Sequence, residues 1–503
     1  MTSPRRPFAG CLFIVLLALA AVPEANAIPA FARKYGLRCS ACHETWPILN
    51  NFGLKFRDNG YQLMNDRDAP IWQNPSYWPV TFRITPIWHR LSSRNETDTY
   101  TGVTTALPEG VPTITRVTSS GFDLSGLDFH TGGTLDKNIS FYALPSSNSS
   151  GVFHFETVMV RFDNLFHSPW LNIKMGRFEL NNLLSEKRMV QLTGNGGIYQ
   201  TYHFIPLGDG NIFGQLGDNQ LGLEYVGHSY NDRTRVSGSL LSSSDGNENL
   251  ITGANSYSGY FTFDQGIDTG RFGVQRLGGY AFVGDAATYY RTSNGVPIPG
   301  SGIGNKNFYR IGFTGQLYIT PHFDVNIVTQ HGYDNKWFGQ GFGNAVNAPE
   351  GISGTSANGI PGCTGPPPAG CLANATPITV LPVGSQNPVW NGYTFEARYV
   401  VNPQLIFIGV YEAERMSQQA NGPLYTAVGP TGITGPSPSK LGNINNFTAL
   451  VRYNPFMTSR AGLAMQAEFN VFQQIGSGPN NPVTTIGTTQ NTSELLIALD
   501  FAF

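Results

Sequence analysis

Charge is scarce in this 503-residue chain: Asp, Glu, Lys and Arg make up 13% of it, and the formal net charge is −2. No basic run occurs, so the electrostatic footprint of a nucleic-acid-binding surface is missing. Beyond position 27 no apolar run reaches the length of about eighteen residues that a membrane-spanning helix needs. No Asp/Glu/His cluster has the spacing of an iron-ligand set. Cysteines number five, and two of them sit in one short motif. What the chain has in quantity is glycine, 59 residues, with 12% aromatics and abundant Asn, Thr and Ser. That balance suits one long β-rich protein better than a string of soluble domains.

Residues 1–27 read as a secretory signal. Arg5 and Arg6 supply the basic end, Cys11 to Val22 the apolar stretch, and Ala25-Asn26-Ala27 the small-residue cleavage site. Cys11 begins the apolar stretch instead of following it, which excludes a lipoprotein anchor there. Export places Cys363 and Cys371 in an oxidising compartment, where they are expected to pair within their Gly/Pro-rich loop.

Shortly after the expected cleavage site comes Cys39-Ser40-Ala41-Cys42-His43. Two thiols three positions apart can each add to a vinyl group of one haem, and the adjoining imidazole then falls beneath the iron. A zinc site would need two more ligands nearby, and a thioredoxin-like redox pair would need a βαβ pattern around it; neither is visible. Covalent haem c, one group, with His43 as proximal ligand, is the expectation. The haem segment is assigned to 28–76. Its residues Trp46, Leu49, Phe52, Gly53, Phe56 and Tyr61 have roughly helical spacing, which predicts one or two short helices. About fifty residues is small for an independent globule, so this segment needs a second surface.

From about Tyr77 the hydrophobic period becomes two. Val80, Phe82, Ile84 and Trp88 alternate with Thr81, Arg83, Thr85 and His89; Leu463, Met465, Ala467, Phe469 and Val471 alternate with Gln466, Glu468 and Asn470. About sixteen such strands are expected, within a range of about fourteen to eighteen: 77–92, 121–131, 138–146, 153–163, 170–180, 218–229, 233–244, 256–266, 270–286, 306–320, 323–335, 390–402, 405–416, 444–454, 459–475 and 493–503. Their connections alternate in kind. Tight turns such as Pro321-His322, Asn402-Pro403-Gln404 and Asn454-Pro455-Phe456 take turns with long loops, notably 181–217, 336–389 and 417–443. A sandwich has no reason to sort its loops in this way, whereas an outer-membrane barrel does. The fold class is therefore an antiparallel transmembrane β-barrel over 77–503, in contact with outer-membrane lipid. The last strand alternates Leu495, Ile497, Leu499 and Phe501 with Glu494, Ala498 and Asp500, and ends on Phe503. That ending resembles the assembly signal of bacterial outer-membrane barrels.

The haem segment and barrel together resemble the fused monohaem cytochrome–porin family. The residues that carry the resemblance are Ile28 to Gly36, Cys39 to His43, Trp46-Pro47-Ile48-Leu49-Asn50-Asn51-Phe52-Gly53, and Phe56-Arg57-Asp58-Asn59-Gly60-Tyr61. Over the remaining length only architecture supports it. The resemblance implies Fe(II) oxidation at the surface of iron-oxidising bacteria, with single electrons passed to a periplasmic carrier, a c-type cytochrome or a blue copper protein. Outward electron transfer to extracellular Fe(III) or minerals, and a substrate-selective porin with a haem-bearing leader, are the alternatives. A single outer-sphere electron transfer requires no nucleophile and no acid–base pair.

An open barrel of this size carries solutes, not electrons. The haem segment is therefore expected to enter from the periplasmic side and plug the lumen at mid-height of an apolar band roughly 25 Å tall. Met64 is the first candidate for the distal iron ligand, because a thioether raises the potential; His89, on the predicted lumen face, is the second, and an open or water-bound site the third. Glu396, Glu412, Glu414, Glu468, Asp500, Arg83, Arg310, Arg398 and Arg452 are expected on inward faces, as is usual for such walls. Loops 336–389 and 417–443 carry little charge beyond Lys336, Glu350 and Lys440, which fits an acidic habitat because amides and hydroxyls do not titrate there.

Overall fold

The computed structural model describes residues 31, 34–63, 80–96, 115–147, 151–180, 219–242, 257–287, 305–333, 352–353, 379–380, 387, 389–418, 426–429, 432–436, 443–457, 461–475 and 489–503. The leader, Met64, Cys363 and Cys371 lie outside them. Sixteen antiparallel strands close into one barrel: β1 Val80–Glu96, β2 Thr115–Asp136, β3 Ile139–Ser147, β4 Phe153–Phe162, β5 Asn172–Glu179, β6 Asn219–His228, β7 Thr234–Ser242, β8 Tyr257–Asp268, β9 Val274–Ala287, β10 Asn305–Thr320, β11 Phe323–Tyr333, β12 Val389–Asn402, β13 Leu405–Gln418, β14 Asn443–Met457, β15 Gly462–Ile475 and β16 Thr489–Ala502. Each pairs with its sequence neighbour, and β16 closes on β1 through Ile497 opposite Trp88 and Leu495 opposite Arg90. No described helix is long and apolar enough to cross a membrane.

Alternation along each strand is inverted relative to a soluble protein. Phe395, Phe407, Phe447, Phe469, Leu495, Ile497 and Leu499 point outward and are exposed, while Glu396, Arg398, Glu412, Arg452 and Asp500 point inward and are buried. An outward apolar belt over a polar interior is the arrangement that lipid demands, since closure leaves no unpaired backbone edge in the hydrocarbon. All nine inward-face assignments made from the sequence, from Arg83 to Asp500, hold: eight are fully buried, and Arg83 bonds to Asp500 and Asp128.

Connections sort by rim. Segments 137–138, 163–171, 229–233, 269–273, 321–322 and 403–404 lie at the end where β1 begins and β16 finishes, and β14 and β15 also meet there. At the opposite end the strand ends are separated by longer intervals of sequence, among them 97–114, 180–218, 334–388 and 419–442, with 148–152 a short exception. Two small ladders of their own, Ile352–Ser353 with Thr379–Val380 and Thr426–Gly429 with Gly432–Pro436, occur within 334–388 and 419–442.

Fifteen strands begin and end within four residues of the expected bounds; β2 departs further, and one expected turn is absent. β2 spans 115–136 where 121–131 was expected, because the polar residues Thr118, Ser119 and Ser120 pair across to β1 although they lack an apolar alternation, and Gly132 to Asp136 pair with β3. The turn expected at Asn454-Pro455-Phe456 is a bulge inside β14. Pairing with β15 skips from Tyr453 to Phe456 and then resumes, because Pro455 has no N–H to give the ladder.

Residues 34–63 sit inside the barrel, toward its short-turn end. They form a four-residue helix, Cys39–Cys42 (α1), a hairpin of His43–Thr45 with Ile48–Leu49, and helix α2, Asn51–Asp58. The helical pattern expected from Trp46 onward is realised only over α2. Trp46 and Leu49 belong to the hairpin, and Phe52 faces away from the packed side. Polar anchors at the strand ends, described next, fix the segment at this end instead of at mid-height.

A candidate haem site between plug and wall

Asn50 organises the motif. Its side-chain oxygen accepts from Gly53 N (2.9 Å), capping α2, and its amide donates to Ala41 O (3.1 Å) and Ser40 O (3.3 Å) at the end of α1. One side chain thus satisfies both helix ends that flank the hairpin. Asn50 N also donates to Cys42 O (2.9 Å). Gly53 allows α2 to lie on that same carbonyl: a Cβ there would stand 2.1 Å from Cys42 O. Lys55 and Arg57 in the last turn suit the helix dipole, and Gly60, at φ +74°, stops the helix. Eight residues are too few for a stable isolated helix, so burial of Leu54, Phe56 and Asp58 holds it.

The wall grips this segment around much of its circumference. Arg235 of β7 donates to both carboxylate oxygens of Asp58 (2.7 and 3.0 Å). Arg161 of β4 reaches Arg57 O and Asp58 O (2.6 and 2.8 Å). Lys55 donates to Tyr230 O, Asn164 to Asn59, and Arg276 to Asn51. On the far side Asn454 donates to Thr45, Tyr318 to Glu44, and Arg452 to Trp46 O. The Trp46 ring lies between two guanidiniums, Arg452 at 5.0 Å and Arg83 at 5.3 Å, and Asp500 pairs with both. Burial raises the Asp58 carboxyl, but Arg235, with Arg57, His228 and Arg161 around it, outweighs that and holds it well below the usual carboxylate range.

Between this segment and the wall of β1 to β7 is a cavity of about 320 Å³. Cys42 and His43 line it together with Tyr142, Met159 and His130 of the wall. The hairpin turn brings Pro47 O to 3.0 Å from His43 Nδ1. A carbonyl that takes the Nδ1 proton fixes the tautomer and frees Nε2 as a ligand, which is how metal-bound imidazoles are usually held. Burial pushes the His43 imidazole down to about 4, against the pull of the Pro47 and Ile48 carbonyls, so it is neutral and able to coordinate. Burial also pushes the Cys42 thiol up to about 11; reactive redox pairs and zinc thiolates depend on the opposite shift. Phe31 stacks on Tyr61 (5.1 Å) and Tyr61 on Tyr142 (5.7 Å), giving the cavity a flat aromatic side. A pocket with an aromatic side, charged residues such as Arg83, Asp128 and Lys174 elsewhere in its lining, a preset neutral imidazole and an adjacent thiol fits a covalently held haem, whose ring is apolar and whose propionates are anionic. Among the described residues no group of three His, Cys, Asp or Glu could hold a bare metal ion.

His89 does face the lumen, as expected, but its Nδ1 lies 3.4 Å from Glu494 and it does not line this cavity. The sequence assigns no role to Asn50 and Asp58, which it shows only as part of the resemblance, nor to the wall residues Arg235, His130, Tyr142 and Met159. Only Asn50 had a local signal, an N-cap residue before an apolar-periodic run.

The fold defines a sixteen-strand antiparallel outer-membrane-type β-barrel with its N-terminal segment folded inside the lumen. No protein-family model matches the chain, and no curated protein matches it. Among solved structures it is similar to the outer membrane channel DcaP of Acinetobacter baumannii, at 11% identity over 84% of this chain and 97% of that one, TM-score 0.44. It is also similar to an anion-selective porin from Comamonas acidovorans, at 9% identity over 84% and 99%, TM-score 0.45. A third is OmpT of Vibrio cholerae, at 9% over 85% and 98%, TM-score 0.42.

Proposed function

We propose that this protein is an outer-membrane electron conduit. It takes single electrons from extracellular Fe(II) and passes them, through a haem c at Cys39, Cys42 and His43, to a soluble periplasmic carrier. The observation that carries the reading is the coincidence of the Cys-x-x-Cys-His motif with a pocket enclosed by a barrel wall. A motif that served only as an anchor would have no need of Tyr142, Met159 and Phe178 closing over it.

When bound, the haem supplies a one-electron redox centre; the chain supplies its placement and insulation. His43 presents Nε2, and Pro47 O sets the ring. Each Fe(II) outside loses one electron and becomes Fe(III), and each oxidised carrier inside gains one, so no proton or group is transferred. The anchors on β4, β7, β9, β10 and β14 seal the lumen against solute flow while leaving α2 at the short-turn rim. In this reading the short turns and both ends of the barrel chain are periplasmic, and the long loops meet the donor.

The test is made on detergent-purified, air-oxidised protein mixed with Fe(II) under argon at acidic pH. Growth of the reduced c-type α-band, at a rate that rises with Fe(II) concentration, is the expected result. A haem that ignores Fe(II) but is reduced by dithionite would overturn the inward, iron-oxidising direction.

A further inference from the structure

We propose that the barrel wall itself supplies a further iron ligand to the haem, Met159 on β4, in addition to His43. The inference rests on the haem c reading above and concerns the sixth position, which that reading leaves unassigned.

The strand register aims Met159 inward. It stands opposite Tyr142 of β3 and Gly176 of β5, and residues directly opposite share a face of the sheet. Tyr142 stacks on Tyr61 of the plug, so Met159 is directed at the plug as well. Its side chain is buried in the cluster that contains Phe56 and Tyr61, and it lines the same cavity as Cys42 and His43. On its other flank Gly176 has no side chain to crowd it; a Cβ there would stand 2.2 Å from Val158 O.

The other donors lining this cavity are already engaged. His130 Nδ1 is 2.6 Å from the Tyr142 hydroxyl, and its Nε2 lies 3.9 Å from Asp128. Lys174 is ion-paired with Glu224 and sits 4.2 Å over the Phe178 ring. Using either would strip a buried carboxylate or hydroxyl of its partner, whereas the Met159 thioether is held by packing alone. A thioether also matches the task, since Met/His ligation raises the potential toward that of an Fe(II) donor. Ligation from β4 would tie the plug to the wall through the iron, alongside Arg161, two residues along the same strand.

The test uses the full chain, matured in cells that attach haem c and purified in detergent. Wild-type protein and Met159→Leu, Met64→Leu and His130→Gln variants are compared. Two readouts report the ligand directly: the long-wavelength thioether-to-iron charge-transfer band of the oxidised protein, and the strongly shifted methionine methyl resonances of the reduced protein. Wild type, Met64→Leu and His130→Gln should show both. Met159→Leu, which nearly conserves volume, should lose both and convert from no carbon monoxide binding to stoichiometric binding, with a lowered midpoint potential. Heat-modifiable electrophoretic mobility identifies folded barrels, and only those are compared. A band that survives Met159→Leu, or its absence from wild-type haem protein, overturns the ligand assignment alone. A wild-type chain without covalent haem overturns the proposed function and this assignment together.

Discussion

Removing the Asp58 carboxylate should open the pore. Asp58 and Arg235 are each about 3% exposed, and Arg235 donates to both carboxylate oxygens. Asp58→Ala leaves a guanidinium buried inside the barrel without that partner, which costs about 3–5 kcal/mol for pairs of this kind. The cost falls on the docked state only, because a released segment and an open lumen both return Arg235 to water. At about 1.4 kcal/mol per factor of ten, the ratio of open to closed channels should rise by about two to four powers of ten. Single-channel recordings in planar bilayers measure this ratio directly. Wild-type protein should be mostly silent, and Asp58→Ala should show long openings. The double variant Asp58→Leu/Arg235→Leu should recover most of the closure, since replacing both members of a buried pair with apolar groups is close to neutral. Equal conductance in all three proteins would refute the reading of residues 34–63 as a plug held by this pair.

The same pair sets an acid limit. Because the folded carboxyl is held below its ordinary value of 3.8, its contribution is fully present above that value and is lost only as pH falls through the depressed one; channels should therefore begin to open only in acid below the ordinary carboxylate range, read by conductance against pH. Asn50→Ala removes the cap on α2 and the bonds to Ala41 O and Ser40 O; a loss of about 1–2 kcal/mol from the cap, with the bonds to α1 lost as well, should lower covalent haem per chain, measured as pyridine haemochrome, while barrel assembly is unchanged. Deleting Phe503 removes a reciprocal backbone pair with Phe82 (2.8 and 2.9 Å) and a ring contact at 5.1 Å at the closing seam; the heat-modifiable barrel fraction should fall sharply, and an unchanged fraction would argue against a role for this terminus in closure.

Where the physics is local, the sequence is legible. Strand alternation is a contest between lipid and lumen that each residue settles by its own polarity, so Phe395 and Glu396, or Leu499 and Asp500, can be assigned to opposite faces without knowing their neighbours. Loop parity follows from closure, and the Cys-x-x-Cys-His spacing from the chemistry of attachment. The haem cavity is different. His43 meets Pro47 four residues away, but it shares the cavity with Tyr142 and Met159 on two strands far along the chain, and nothing in a one-dimensional pattern brings those side chains to the same space. Helical spacing also misled at Trp46: its apolar ring belongs to a hairpin, held by Arg83 and Arg452 from the two sides of the barrel seam. Phe52 shows the converse, an apolar residue on the helix period that stays exposed because the wall packs the other face of α2.

The central claim is that electrons, and not solutes, cross this barrel through the Cys39–Cys42–His43 site. Proteoliposomes loaded with an oxidised c-type cytochrome, with Fe(II) added outside under argon, test it most directly. The account predicts that the enclosed cytochrome is reduced at a rate set by external Fe(II), without release of a co-encapsulated small dye, and that Cys39→Ala/Cys42→Ala vesicles show no reduction. Reduction that persists in the variant, or that occurs only together with dye release, would contradict it.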